Sequence, residues 1–275
     1  MPKWLHRRRV SLPLAISVIT LMVLAQAAEG PPESKNWLPS QPVPKVTAPK
    51  PNPTCQAAGD PDPLLGPRTK QSGRWIGHQA VRHNLPIVVM AGHADSQQLA
   101  SAGTPGFAVD VKRQPPMDPS MRDELFWNFR VQNAVVRLGQ QAGLNISSYR
   151  PPMLTIRNDN DPRTNWSQAR RLSARGDYVL EIHFDAYRPH GFGSGLIPAI
   201  NRPLNQVDEE LGRAFGRFPR NFRGGLGGPR RGIGILEIGM LEPPLENKLR
   251  APSTRDQTVD CLAQRVVDAL VRGVS

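Results

Sequence analysis

"YVLEIHFDAY", residues 178–187, decides how this chain folds. Tyr178, Leu180, Ile182 and Phe184 alternate with Val179, Glu181, His183 and Asp185, the period of a β-strand. The first set is apolar and packs. The second carries two carboxylates and an imidazole, so that face meets either plain solvent or a site. Working outward, "LPIVVMAGH" (85–93) and "GIGILEIGML" (232–241) are short apolar runs of the kind buried in a sheet, and "LNISSYRP" (144–151) is a strand stopped by Pro151.

Helical spacing fills the intervals. In 121–144, Leu125, Phe126, Phe129, Ala134, Val135 and Leu138 recur at helical steps. Asp118 or Ser120 is the expected N-cap, and Gly143 the stop. Further helices are expected over 165–176, 205–218 and 254–273, the last with Val259, Leu262, Val266 and Leu270 on one face. Strands separated by helices predict an α/β fold, a three-layer sandwich with a mostly parallel central sheet flanked by helices. No internal repeat interrupts it.

The chain has 275 residues, and the N-terminal part differs in texture. Residues 1–27 read as a signal peptide: Lys3 and Arg7–Arg9, an apolar stretch from Val10 to Leu24, then Ala25-Gln26-Ala27. Retention as a single membrane anchor is the alternative, although about 15 apolar residues fall short of the roughly 20 that span a bilayer. The flanks of Arg8-Arg9 fit a twin-arginine signal poorly. Residues 28–70 are proline-rich and read as an extended tether, leaving 71–275 as the catalytic domain. The expected location is therefore periplasmic or secreted. There the only cysteines, Cys55 and Cys261, could form a disulfide or remain separate thiols.

A formal net charge of +12 suits an anionic polymer. Nucleic acid is excluded as a partner, because the chain has no basic helix with interleaved aromatics, no zinc-finger spacing and no RNP-like run. Membrane contact is expected only through an uncleaved signal segment, and the protein is expected to be a monomer.

In an open sheet of this kind, sites form beyond the carboxyl ends of strands. His93 and His183 end strands, Glu237 lies near the end of a third, and Glu124 starts the helix after the first. Two imidazoles and a carboxylate can hold zinc with water in the fourth position, while a further carboxylate moves the proton. Each histidine alone is more often structural, and no HExxH is present.

Taken together and in order, "IVVMAGH" with the following Thr104-Pro105-Gly106 loop, "DELFWNFRVQNAVVRLGQQAGLNISSYR", "YVLEIHFDA" and "GILEIGML" resemble the zinc-dependent N-acetylmuramoyl-L-alanine amidases, the family 3 amidase domain, in a divergent, cyanobacterial-type branch. The resemblance covers about residues 85–272. It implies zinc held by His93, Glu124 and His183, with Glu237 catalytic, and hydrolysis of the amide between muramic acid and L-alanine in peptidoglycan. The chain departs from the family pattern in five places. Met90-Ala91 stands for Asp-x, Ala94-Asp95 for Gly-Gly, Glu181 for Ser, and Asp185 for Asn. Gly239-Met240-Leu241 also replaces Gly-Phe-Leu. Metal-ligand residue types survive every change, so the changes bear on substrate preference. A zinc peptidase or deacylase on another wall substrate, and a wall-binding protein without turnover, are the competing readings.

Other features carry weaker expectations. The loop "RNFRGGLGGPRRGIG" (220–234) has neither GxGxxG nor P-loop spacing. It is read as a cleft-side loop whose Arg223, Arg230 or Arg231 meets stem-peptide carboxylates, or else as solvated surface. Ser194 lacks the glycine pattern of a nucleophile elbow, and Cys261 has no evident base. Asp95 and Asp185 either orient the ligands or face water. Trp127 and Phe126 are expected in the core. The 54 residues between His183 and Glu237 leave no room for a long blocking segment.

Overall fold

A computed structural model describes Val46, Cys55 and residues 61–275; the expected signal segment and most of the tether lie outside the described residues. In chain order the elements are β1 (Ile87–Ala91), α1 (Phe107–Asp110), α2 (Asp123–Gln141), β2 (Ile146–Tyr149), α3 (Asn165–Ala174), β3 (Tyr178–Asp185), β4 (Gly195–Ile197), α4 (Gln206–Phe215), β5 (Ile233–Met240), α5 (Leu245–Arg250) and α6 (Arg255–Val274). No helix among the described residues is long and apolar enough to cross a membrane.

The five strands form one sheet in the order β2-β1-β3-β5-β4, parallel except for β4. Alternation sorts the side chains as the sequence demands. Ile87, Val89, Tyr178, Leu180, Ile182 and Phe184 face the main core, with Trp127 of α2 and Leu262, Val266 and Leu270 of α6. Val88, Met90, Val179, Ile233 and Ile235 face the opposite way, onto Ala169 and Leu172 of α3. This is the expected three-layer arrangement. Short β4 was hidden in "GFGSGLIPAI", where three residues between glycine and proline give no periodic signal. The expected 205–218 helix is the ten-residue α4, whose Val207, Leu211 and Phe215 belong to the main core with α6.

Chain order creates the crevice. From β1 the chain passes through α2 to β2 on one side. From β3 it goes on to β5 and β4 on the other side. β1 and β3 are neighbours whose outgoing connections diverge, the topological switch point where open parallel sheets bind ligands. Beside it the β3–β5 register shifts between His183 and Asp185, which re-aims the end of β5.

One boundary needs correction. The tether was drawn to residue 70, yet residues 61–70 pack onto the domain. Leu64 and Leu65 are buried in the main core, and the Thr69 amide donates to the Ser194 carbonyl (2.9 Å). Asp62 is buried and accepts from the Arg265 guanidinium (2.7 Å). Cys55 is disulfide-bonded to Cys261 of α6. Proline excludes helix and central strand, but it does not prevent an extended segment from lying on a core.

Asp62 and Arg265 are both sealed from water, so removing one strands the other's charge. Asp62→Ala is expected to cost about 3–5 kcal/mol of unfolding free energy, measured by urea denaturation.

Candidate metal centre

The loop after β1 and the start of α2 lock each other. The expected side-chain caps at Asp118 and Ser120 do not cap α2. Its N-cap is Arg122, which lacks a capping side chain. The exposed first-turn donors instead go to the loop: the Arg122 amide to Gln97 Oε1 (2.9 Å) and the Glu124 amide to the Thr104 carbonyl (3.3 Å). In return, the Thr104 amide donates to Glu124 Oε2 (2.7 Å). Further along α2, Asn128 donates to the Gly92 carbonyl (3.1 Å), and Gln132 to the carbonyls of Val89 (2.8 Å) and Tyr149 (2.9 Å). Glu124, Asn128 and Gln132 thus form a buried polar stripe at steps of four, fastening the helix to the end of β1.

The stripe places Glu124 Oε1 between two imidazoles. His93 Nε2 is 3.2 Å away and His183 Nδ1 is 3.1 Å away. One donor atom from each of His93, Glu124 and His183 can be chosen so that all lie within 4.8 Å of one another. The two rings are nearly perpendicular, at 84°, with centroids 4.8 Å apart. Each imidazole has its other nitrogen engaged: His93 Nδ1 donates to the Ser101 carbonyl (2.6 Å), and His183 Nε2 faces Glu181 Oε2 (3.2 Å).

The backbone around these groups is shaped for close approach. His93 itself adopts φ +63°, a left-handed conformation uncommon outside glycine. A Cβ on Gly92 would lie 2.2 Å from His183 Cε1. One on Gly103, at φ +88°, would lie 2.6 Å from Glu124 Oε2 and 2.8 Å from His93 Cδ2. The donor set suits a borderline ion such as zinc: two imidazole nitrogens and a carboxylate, each held from behind by a hydrogen bond.

Burial and charge oppose each other here. Burial pushes the Glu124 carboxyl up, but the two imidazoles outweigh it and hold the group well below the usual carboxylate range. Burial likewise disfavours a charged His183, but Glu124 and Glu181 reverse this and raise its pKa well above the ordinary value. Glu237 pairs in register with His183 across the sheet. Burial and the neighbouring charge of Asp185 push its carboxyl up to about 8, against His183 and Arg223. Its Oε2 is sealed from solvent and has no hydrogen-bond partner.

His93, His183 and Glu237 line one cavity of about 270 Å³, together with Glu181, Arg223 and Trp166. Asp95 and Asp185 do not orient the triad. Asp95 accepts from the Asn165 amide (2.7 Å), and Asp185 accepts from the Gly193 amide (3.1 Å) and from Arg223 (3.4 Å). Asp95 thus holds the first residue of α3 and Asp185 the loop after β3, and neither is hydrogen-bonded to a triad side chain. Of the three arginines expected at the cleft, only Arg223 reaches the cavity, stacked between Phe192 (4.9 Å) and Phe222 (5.2 Å). Arg230 and Arg231 donate to the loop carbonyls of Gly225 and Gly227, and Arg231 lies over Trp166. Trp127 is in the core as expected. Sequence reading missed Gln97, Asn128, Gln132 and Asn165. The i, i+4, i+8 polar spacing on α2 was a usable signal for two of them.

No protein-family model and no curated protein matches the chain. Among solved structures it is similar in fold to N-acetylmuramoyl-L-alanine amidases and to the catalytic domain of an endolysin. The catalytic domain of CwlV from Bacillus (Paenibacillus) polymyxa is 14% identical, with 67% of this chain and 96% of that one aligned at a TM-score of 0.45. For the catalytic domain of the CD27L endolysin, which targets Clostridia difficile, the values are 15%, 68%, 96% and 0.46. For AmiC2 of Nostoc punctiforme they are 12%, 66%, 94% and 0.41.

Metal-free protein should show the cost of Glu237. Between its ordinary value of 4.5 and about 8, the folded state keeps a proton that the unfolded chain has released. Stability therefore falls as pH rises through that window. Glu237→Gln is expected to flatten the slope, measured by urea denaturation of chelator-treated protein across pH.

Proposed function

We propose that this chain is a zinc-dependent N-acetylmuramoyl-L-alanine amidase acting on peptidoglycan, with His93, Glu124 and His183 as metal ligands and Glu237 as the catalytic residue. One observation carries the reading: three metal-competent donors converge within 4.8 Å beside a cavity that is also lined by Glu237. The order of the four sequence motifs supports the choice of substrate.

Zinc held by His93, Glu124 and His183 would polarise the amide carbonyl, acidify the attacking water and, as a positive charge, favour the ionised form of Glu237. The protein's own groups do the rest. Glu237 lines the cavity beside the ligands and is the carboxylate that would take the proton from water and return it to the leaving amine nitrogen. Asp185 and Arg223 flank Glu237 with opposite charges, one favouring its protonated form and the other its anion, so the group can serve as base and then as acid. Arg223, only partly engaged by Asp185 at 3.4 Å and half-exposed, is placed to meet a stem-peptide carboxylate at the cavity wall.

The Cys55–Cys261 disulfide supports an oxidising compartment, in keeping with export to the periplasm or beyond. Work as a monomer on the wall polymer completes the reading. Intact Glu237 argues against a purely wall-binding role. The bond cleaved in muropeptides separates the amidase from a peptidase or deacylase on the same scaffold.

Incubation of zinc-loaded protein with purified muropeptides should release free stem peptides beginning with L-alanine, identified by mass spectrometry. Cleavage at any other bond would overturn the assignment. Glu237→Gln is expected to lower kcat by about 10²–10⁴ with zinc content unchanged. Arg223→Ala should raise KM roughly tenfold on muropeptides with free stem carboxylates and much less on amidated ones.

A further inference from the structure

Glu181 has no role in the proposed reaction, yet it is 4% exposed and sits two residues before His183 on the same face of β3. Both of its oxygens are committed. Oε2 faces His183 Nε2 at 3.2 Å, and Oε1 accepts from Asn165 Nδ2 at 2.8 Å. Asn165 opens α3, and its Nδ2 also donates to the carbonyl of Ala91, the last residue of β1 (2.8 Å). A continuous chain of hydrogen bonds therefore runs from the end of β1, through the first residue of α3, to the imidazole on β3.

The two imidazoles are held in opposite senses. His93 gives its Nδ1 proton to a carbonyl, which can only accept, and so presents Nε2. His183 has its Nε2 toward a carboxylate and its Nδ1 toward Glu124. With no Cβ at position 92, the His183 ring lies directly over Gly92.

Resting on the zinc reading above, we propose that Glu181 is a positioning residue. It holds His183 as the Nε2–H tautomer and aims the Nδ1 lone pair at the metal position. The carboxylate acts through the imidazole and is not itself a ligand, because neither of its oxygens is free. An anion in this place also makes the imidazole a stronger donor than a hydroxyl partner would. The proton stays on Nε2, shared in a charge-assisted hydrogen bond; no bond is made or broken.

The test uses the full chain and zinc alone. Zinc affinity is measured by competition with a chromophoric chelator for wild type, Glu181→Gln and Glu181→Ala. The ring nitrogens of His183 are followed by ¹⁵N NMR in the zinc-loaded proteins. Wild type should bind one zinc, with Nε2 protonated and Nδ1 shifted by the metal. Glu181→Ala should bind on the order of 10–100-fold more weakly. Glu181→Gln keeps shape and an acceptor but loses the charge, so it should fall between the two and keep the tautomer. If Glu181→Ala fails to fold, the Gln variant decides by the same measure. Unchanged zinc affinity and an unchanged His183 tautomer in both variants would overturn the positioning role while leaving the zinc site standing. Loss of a zinc–oxygen ligand in the X-ray absorption spectrum of a Glu181 variant would overturn it by making Glu181 a ligand. Wild type that takes up no zinc would overturn the metal site, and this role with it.

Discussion

A buried carboxylate held between two imidazoles is the constraint on which this structure turns. Glu124 is 3% exposed, and in the absence of other partners such a charge would be costly to keep from water. It is tolerated because His93 and His183 approach the same oxygen and a backbone amide takes the other. Groups this close, with their remaining valences fixed from outside, have little freedom to relax apart. The same closeness that makes them satisfy one another makes them suited to a shared cation.

Much of the surrounding architecture serves to keep that approach short. The polar stripe of α2 ties the helix to the carbonyls of β1, and Gln97 of the loop after β1 caps the helix in place of a side chain at its own N-cap. Two glycines admit imidazole and carboxylate where a methyl group would collide. His93 accepts a left-handed backbone, the kind of local strain that a well-determined surrounding structure can hold. The second layer of the site rests on Glu181 and Asn165, so the face of β3 that looked merely polar is buried and fully engaged.

The N-terminal approach to the domain is part of the fold as well. Residues 61–70 lie against the core, Asp62 neutralises a buried arginine of α6, and the disulfide fastens Cys55 to the same helix. A proline-rich composition describes what this segment cannot form, not whether it is attached. Only the segment before it retains the expectation of a spacer.

Local sequence pattern determined the strands at 87–91 and 233–240 by their apolar runs, the strand at 178–185 by its alternation, the long helices by their spacing, and with these the layered α/β class and the ends of strands at which polar groups gather. These follow from local rules, because the alternation of side chains is set by the backbone of each segment. Which nitrogen of each imidazole faces Glu124, why Asp95 holds the start of α3 and Asp185 a loop rather than the triad, and why Arg223 alone of the loop arginines enters the cavity were decided only by the tertiary structure. So were the antiparallel edge strand β4 and the docking of residues 61–70. Each of these depends on groups brought together from distant parts of the chain, and no local pattern encodes the distance between side chains that meet only after the sheet has closed around them.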